Sequence, residues 1–578
     1  MFSAGELSKF DREFLRSEQI VSCIGDGFTG GKASGLIFID KILGERFREN
    51  PFSNIDISIP RMVVLTSGFF DRFIERNGIY DKLSGGELSD KKIALEFQKG
   101  DIPAEYVGDL RALVAEVHKP LAIRSSSMLE DTIREPFAGV YATKMIPNNQ
   151  PDADSRFRKL TEAIKFVYAS TFFRNARDYR RRIGKADADE KMAVIIQEIV
   201  GGRFGDRFYP HIAGVAKSYN FYSIGQARPE DGVVNLAFGL GKTIVDGGLV
   251  WSYSPAYPRV APPVSSPREL LKKSQTKFWA VNMGQPPEYD PLKETEYMVC
   301  DDISEAEYDR SLEMVVSTYQ AANDRLVTGA GSEGPRLVDF APILKAELLP
   351  LNDMIRMLLD VCEASFDAEI EIEFALTINR RDKRAFLGFL QVRPMVVSKD
   401  RIEVTAAELA GESNLLASEQ VLGNGVIDDI QDIIYVDPER FNARHNRSIA
   451  SEIGELNGRM VDKNRPYLLI GFGRWGSSDS WLGIPVDYSQ ISGARAMVEA
   501  TLPNMNVELS QGSHFFHNLS SFQIGYFLVR FDRPQTIDWD WLKSRTVEES
   551  LEFVRHIRLE KPVYIKIDGR SGRGIIRK

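Results

Sequence analysis

Glu369-Ile370-Glu371-Ile372-Glu373-Phe374-Ala375-Leu376-Thr377-Ile378, a charged segment from Asn379 to Arg384, and Ala385-Phe386-Leu387-Gly388-Phe389-Leu390-Gln391-Val392-Arg393-Pro394-Met395 form the stretch whose reading decides the fold. Two alternations of apolar and polar residues joined by a short polar segment predict a β-hairpin. Successive strand side chains point to opposite faces, so Glu369, Glu371 and Glu373 share one face and Ile370, Ile372 and Phe374 the other, while Gln391 and Arg393 share a face of the return strand. If the polar faces coincide, carboxylates, an amide and a guanidinium meet on one surface, a set suited to a divalent cation bridging phosphate oxygens beside an arginine. The same pattern is that of a solvated strand pair whose Glu and Arg side chains meet for little energy. The hairpin alone leaves both open.

The whole chain narrows the classes. At 578 residues it is too long for one hydrophobic core and should divide into about three or four domains. A net charge of -9 gives no footprint for nucleic acid, which favours a basic domain or stripe. The three cysteines, Cys23, Cys300 and Cys362, show neither metal spacing nor an even count, so neither a disulfide framework nor a zinc site is expected and the composition fits a reducing, cytoplasmic setting. The N-terminus is charged throughout and no apolar run is long enough to span a bilayer, so no membrane partner is expected.

Upstream of the hairpin, Gln19 to Ile24 reads as a strand, Gly25-Asp26-Gly27-Phe28-Thr29-Gly30-Gly31-Lys32 as a glycine loop, and the periodic stretch from Leu36 to Phe47 as a helix. Strand, glycine loop and helix suit phosphate, yet the dinucleotide fingerprint lacks its ribose acid. A Walker loop lacks its hydroxyl, because Ala33 follows Lys32. What remains is a lysine after glycines, either a phosphate contact or plain surface. Leu121-Ala122-Ile123 is a short buried-type strand delivering Arg124 ahead of Ser125, Ser126 and Ser127, which suit either phosphate oxygens or the opening of a helix. Phe137-Ala138-Gly139-Val140-Tyr141-Ala142-Thr143 contains a turn at Gly139 where backbone can approach a ligand.

GGKASGL, LAIRSSSMLED, FAGVYAT, VIIQEIV, AFGLGKTIVDGG, EIEFA and LQVRP occur in this order between residues 20 and 396. In that order they resemble the ATP-binding N-terminal part of pyruvate phosphate dikinase and phosphoenolpyruvate synthase; rifampin phosphotransferase and glucan water dikinase look similar there. The resemblance implies an α+β ATP-grasp fold, two lobes clamping ATP with Mg2+, with lobes over 1–200 and 201–398; residues 399–578 lie outside it and read from their own pattern as a smaller strand-rich α/β domain. It implies that Lys32, Arg124 and Arg393 hold phosphates and are the catalytic cations. By the same resemblance Gly139 and Thr143 lie over the phosphate chain, Gln197 lines the adenine pocket, Gln391 lies beside metal and nucleotide, and Glu371 and Glu373 bind the metal. The polar faces read from alternation agree with that assignment. The chain departs from its relatives at Lys242, where the dikinases usually carry glutamate after Gly-Leu-Gly.

The remainder carries less. Arg174 to Lys185 reads as a basic but solvated helix face without aromatic interleaving. Residues 201–262 read as strand-rich and 263–365 as mainly polar or helical, with a helix from about Pro350 to Ala364. In the last third, Val421 to Gly425 and the stretch around Asp432 to Phe441 read as strands, and His445 to Met460 as a helix ended near Asn457-Gly458. A second literal G-x-G-x-x-G at Gly471, Gly473 and Gly476 is followed by Gly483 and Pro485 instead of a helix, which disfavours a dinucleotide site. Among six histidines, none stands in the Thr-x-His context of the dikinases' phosphorylated histidine, and the roughly 180 C-terminal residues are too few for their (β/α)₈ barrel of at least about 200. His514 and His517 suit a phosphoryl acceptor, a base, a metal ligand or a structural role. The expected activity is ATP-dependent phosphoryl transfer to an unknown acceptor, with a separate phosphohistidine-bearing protein as a candidate partner; the alternative is a nucleotide-binding regulatory or assembly protein.

Overall fold

The hairpin forms. In the computed structural model Ile370–Ile378 pairs antiparallel with Ala385–Pro394, in a register that sets Glu371 opposite Arg393 and Glu373 opposite Gln391, with a bulge after Glu373. The structure describes every residue except 1–3, 12, 15–16, 48–49, 85–87, 129, 131–139, 183–185, 187–189, 221–225, 247, 261–265, 273, 286–287, 380–383, 396–401, 478–480, 487–489, 504, 506–523 and 535. Gly139, His514 and His517 therefore lie outside the described residues. The chain forms two compact units, residues 1–218 with 231–394 and residues 219–230 with 395–578.

In the first unit the hairpin belongs to a six-stranded sheet, in the order Trp251–Tyr253, Val233–Ala237, Ile212–Lys217, Ile370–Ile378, Ala385–Pro394 and Ile55–Ser58. The strand Ile55–Ser58, expected in the N-terminal lobe, thus pairs in parallel with the return strand of the hairpin. A five-stranded sheet runs Val21–Ile24, Met62–Leu65, Met192–Glu198, Leu121–Ser127 and Thr143–Ile146, its first pair parallel and the others antiparallel. Ile370, Ile372 and Phe374, the apolar face read from alternation, are buried together with Leu376 in one core with Leu36, Ile37 and Ile39 of the helix Gly30–Arg46. Leu351, Met354, Ile355, Leu358, Leu359 and Cys362 add the inward stripe of the helix Leu351–Phe366, whose spacing of three and four keeps them on one side.

Three local readings change. The serine run does not open a helix: the strand continues through Ser127 because Ser125, Ser126 and Ser127 pair with Val194, Ala193 and Met192. The helix after the first glycine loop begins at Gly30, so Lys32 stands in its first turn. The glycines there admit close backbone, since a Cβ at Gly30 would fall 1.7 Å from the Ser126 carbonyl oxygen and one at Gly31 1.8 Å from that of Glu130. Among the described residues of 263–365 there are five strands, Lys277–Asn282, Met298–Asp302, Val316–Gln320, Arg325–Thr328 and Arg336–Val338, short enough for pairing between segments to override weak local patterning.

The second unit carries a nine-stranded sheet in which Gly425–Val436, Tyr467–Phe472, Ala494–Ala500 and Gly525–Val529 lie side by side in parallel. The helix Asn446–Asp462 runs past the expected stop at Asn457-Gly458, because Asn457 is buried and its side-chain oxygen accepts from the Tyr467 hydroxyl and the Gly493 N–H. Among the described residues no helix directly follows Gly471-x-Gly473. The chain forms a bridge of Arg474–Trp475 with Gly483–Ile484, and Trp475 packs where a Cβ at Gly471 would stand, its indole N–H donating to the Val498 carbonyl at 3.0 Å. Burial would raise the Asp432 carboxyl, but hydrogen bonds with His556 and Arg465 outweigh it and hold the group low. Among the described residues no helix is long and apolar enough to cross a membrane.

The hairpin's packing can be checked at Gly214, opposite Phe374, where an added Cβ would fall 2.1 Å from the ring of this buried phenylalanine. Replacing Gly214 with Ala overpacks the sheet and should lower stability by about 1–3 kcal/mol in urea unfolding, and an unchanged midpoint would refute this reading of the contact.

Candidate functional site

Arg124 joins the five-stranded and six-stranded sheets of the first unit. Its guanidinium donates to the side-chain oxygen of Gln197 at 3.3 Å on the neighbouring strand, and across to the Leu390 carbonyl at 2.8 Å and the Gln391 side-chain oxygen at 2.9 Å on the hairpin. Glu373 lies 3.8 Å from the same guanidinium. Gln197 also donates to the Pro60 carbonyl at 3.3 Å, which fixes its amide. Residues drawn from the motifs LAIRSSSMLED, VIIQEIV, EIEFA and LQVRP therefore converge on one arginine.

Along the hairpin the charges are arranged in rows. Lys217, Glu371 and Arg393 stand in register on three adjacent strands, and Val215, Glu373 and Gln391 form the next row. Arg393 donates from Nε to Glu371 Oε1 at 2.7 Å and also engages that oxygen through a terminal nitrogen, and its guanidinium lies 3.5 Å from Glu373. Lys217 approaches the other oxygen, Oε2, at 3.0 Å. Glu371 is 0% exposed and Arg393 2%, whereas Glu373 retains 17%. Removing one partner of a pair this deeply buried would leave an uncompensated charge, at a cost of roughly 3–5 kcal/mol.

The expected magnesium ligands meet this arrangement unequally. Mg2+ seeks nearly octahedral oxygen ligands and gives up its water reluctantly. Glu371 has each oxygen engaged by a cation of the protein and does not fit a metal ligand as it stands. Glu373 is the carboxylate of the pair with exposure to offer. Among the described residues no group of three or more His, Cys, Asp or Glu is placed to hold a metal ion.

Lys32 lies at a second cluster on the same strand as Arg124. Its ammonium is 2.7 Å from Glu130 Oε1 and 3.2 Å from the Ser125 hydroxyl, and Glu130 also accepts from the Ser125 hydroxyl and the Ser127 N–H, both at 2.8 Å. Behind it Glu190 sits buried near Ser127, Tyr141 and Arg180. Burial pushes its carboxyl up to about 7 against the hydrogen bonds of Ser127 and Tyr141 and the attraction of Arg180. Arg180 is the exception to the solvated reading of its basic helix: Arg174 and Arg181 pair with Asp178 on the outside, while Arg180 is fully buried beside the Tyr141 hydroxyl. Thr143 faces Arg124 across the strand pair, and the next residue, Lys144, is buried with Glu296 at 2.6 Å. Lys242 pairs with Asp246 at 3.1 Å and lies over the Trp279 ring.

Neither Lys217 nor Glu190 stood among the residues expected at the site from the sequence. Lys217 carried a usable signal, a lone charge ending the small and apolar strand Ile212-Ala213-Gly214-Val215-Ala216.

These features describe a mixed α/β protein in which arginine and lysine side chains, held by buried carboxylates and amides, line the meeting of two sheets. The chain belongs to the family of the pyruvate phosphate dikinase AMP/ATP-binding domain, whose model matches residues 27–413 and spans all the site residues named above. The sequence resemblance is borne out at that level, and membership implies binding of ATP or AMP.

The Glu190 carboxyl gives a pH test with a definite sign. Its folded value lies above the ordinary 4.5, so the folded state binds more protons than the unfolded one between about 4.5 and 7, and this group's contribution to stability falls as pH rises through that window. Replacing Glu190 with Gln should flatten the decline in unfolding free energy from pH 5 to pH 8; parallel profiles for the two proteins would count against a perturbed Glu190.

Proposed function

We propose that the chain is an ATP-dependent phosphotransferase of the pyruvate phosphate dikinase and phosphoenolpyruvate synthase type, with the ATP-grasp clamp in its first unit and an acceptor supplied or docked by residues 399–578. The observation that carries this reading is Arg124, whose donors to Gln197, Leu390 and Gln391 all go to neutral acceptors beside Arg393 and Glu373. A phosphate chain entering there exchanges weak acceptors for strong ones. Phosphoryl transfer is largely positioning and charge stabilisation, and Arg124, Arg393 and Lys32 supply the positive groups, with Gln197 toward the base and Thr143 toward the phosphate chain. Magnesium, which the resemblance implies, would be held by Glu373 and the nucleotide's own phosphates. A separate phosphohistidine-bearing protein is the partner this scheme would use, in a cytoplasmic setting.

The engagement of Glu371 by Lys217, with the basic Lys242, favours one second reading, a nucleotide-binding regulatory protein without transfer. Phosphorus NMR of the protein with Mg-ATP separates the two. AMP with phosphate signals dikinase-type transfer, ADP signals a kinase, and unchanged ATP across added acceptors favours the regulatory protein. Replacing Arg124 with Ala should weaken ATP binding about 10- to 100-fold, an effect of roughly 1.4–2.8 kcal/mol, and should abolish turnover; undiminished affinity in a folded variant would remove Arg124 from the site.

A further inference from the structure

The row Lys217, Glu371, Arg393 treats the buried carboxylate differently from a metal ligand. Oε1 of Glu371 is taken by Arg393 and Oε2 by Lys217 at 3.0 Å, and Glu371 is the only carboxylate that Lys217 pairs with among the described residues. Lys217 is held there by backbone register, opposite Glu371 at the end of an antiparallel pairing that runs from Leu376 to Glu371, so its position follows from the sheet and not from a flexible loop. Its side chain is 17% exposed.

The local charge follows from the same contacts. Lys217, Arg124 and Arg393 are the cations that meet Glu371 and Glu373, three against two, while Glu369, the third carboxylate of that face, accepts from the Ser218 hydroxyl. For a divalent cation to reach Glu371 it would have to displace an ammonium from a carboxylate with no exposed surface, in surroundings where further positive charge is poorly screened. For a phosphate chain the same surroundings are attractive without any ion.

We propose that the Lys217 ammonium takes the place on Glu371 that a divalent cation would need, so that this site binds the triphosphate through the protein's own cations and nucleotide affinity does not depend on divalent metal. This rests on the reading above that the triphosphate enters beside Arg124 and Arg393. The full chain is titrated with ATP by calorimetry in EDTA and again in magnesium. The wild-type dissociation constants should agree within about threefold, or roughly 0.7 kcal/mol. Lys217→Met keeps the length of the stem and removes the charge; its ATP affinity in EDTA should fall about tenfold or more and recover with magnesium. In parallel, Mn2+ electron paramagnetic resonance without nucleotide should register a bound ion in Lys217→Met and none in the wild type. Wild-type binding that vanishes in EDTA and returns with magnesium overturns the proposal while leaving the nucleotide site intact. Absence of ATP binding in both conditions overturns the nucleotide reading itself, and the proposal with it. The wild-type comparison stands even if the variant does not fold.

Discussion

A carboxylate with no exposed surface has to be matched by charge, and the pairing of Glu371 with Arg393 and Lys217 is the constraint around which the first unit is built. A buried ion pair is not by itself evidence of stability, because the desolvation of its members offsets much of their attraction. Its effect is on position. Three strands must keep the register that sets Lys217, Glu371 and Arg393 in one row, since a slip of one residue would turn every polar side chain of the hairpin into the core. With that row fixed, Gln391 and the Leu390 carbonyl stand where Arg124 of the other sheet meets them, and the two sheets are joined by a charged hydrogen-bond network.

The hairpin was legible in the sequence because a period of two is hard to produce by accident over nine residues, and because one of its faces is apolar enough to be buried. The strand through the serines was not legible, since its pairing partner, Met192–Glu198, lies some seventy residues away and three serines in a row are more familiar at helix starts and turns. Asn457-Gly458 misled for a related reason. Local punctuation predicts a helix end, and a buried side chain bonded to Tyr467 and Gly493 overrides it. Lys217 shows the limit on the side of function. Its charge was visible, but its meaning depends on which strand lies beside it, and strand order is a tertiary fact.

The glycines illustrate how one residue type answers two demands. Gly30 and Gly31 look like a phosphate loop, yet a Cβ at either would collide with carbonyl oxygens of Ser126 and Glu130. The close approach this permits is what brings the first turn of the helix onto the strand end and sets Lys32 against Glu130 and Ser125. The backbone at Gly30 also takes a φ of +77°, a conformation that side-chain-bearing residues rarely adopt. The motif therefore assembles the site first, whatever it contacts afterwards.

The acceptors that hold each cation decide how readily it can be given to a ligand. Lys32 lies 2.7 Å from a buried carboxylate, and drawing it toward a phosphate would leave Glu130, itself only 1% exposed, with two hydroxyl or amide donors in place of a charge. Arg393 is bound in the same way to Glu371. Arg124 differs, because its three close acceptors are neutral and its nearest carboxylate, Glu373, is 3.8 Å away. Charge-assisted bonds are roughly twice as strong as neutral ones, so the exchange of a neutral acceptor for a phosphate oxygen is favourable at Arg124 and close to balanced at Lys32 and Arg393. The three cations that the sequence motifs treat alike are thus graded by their partners: Arg124 is ready to receive an anion, and Lys32 and Arg393 hold the walls of the site in place around it.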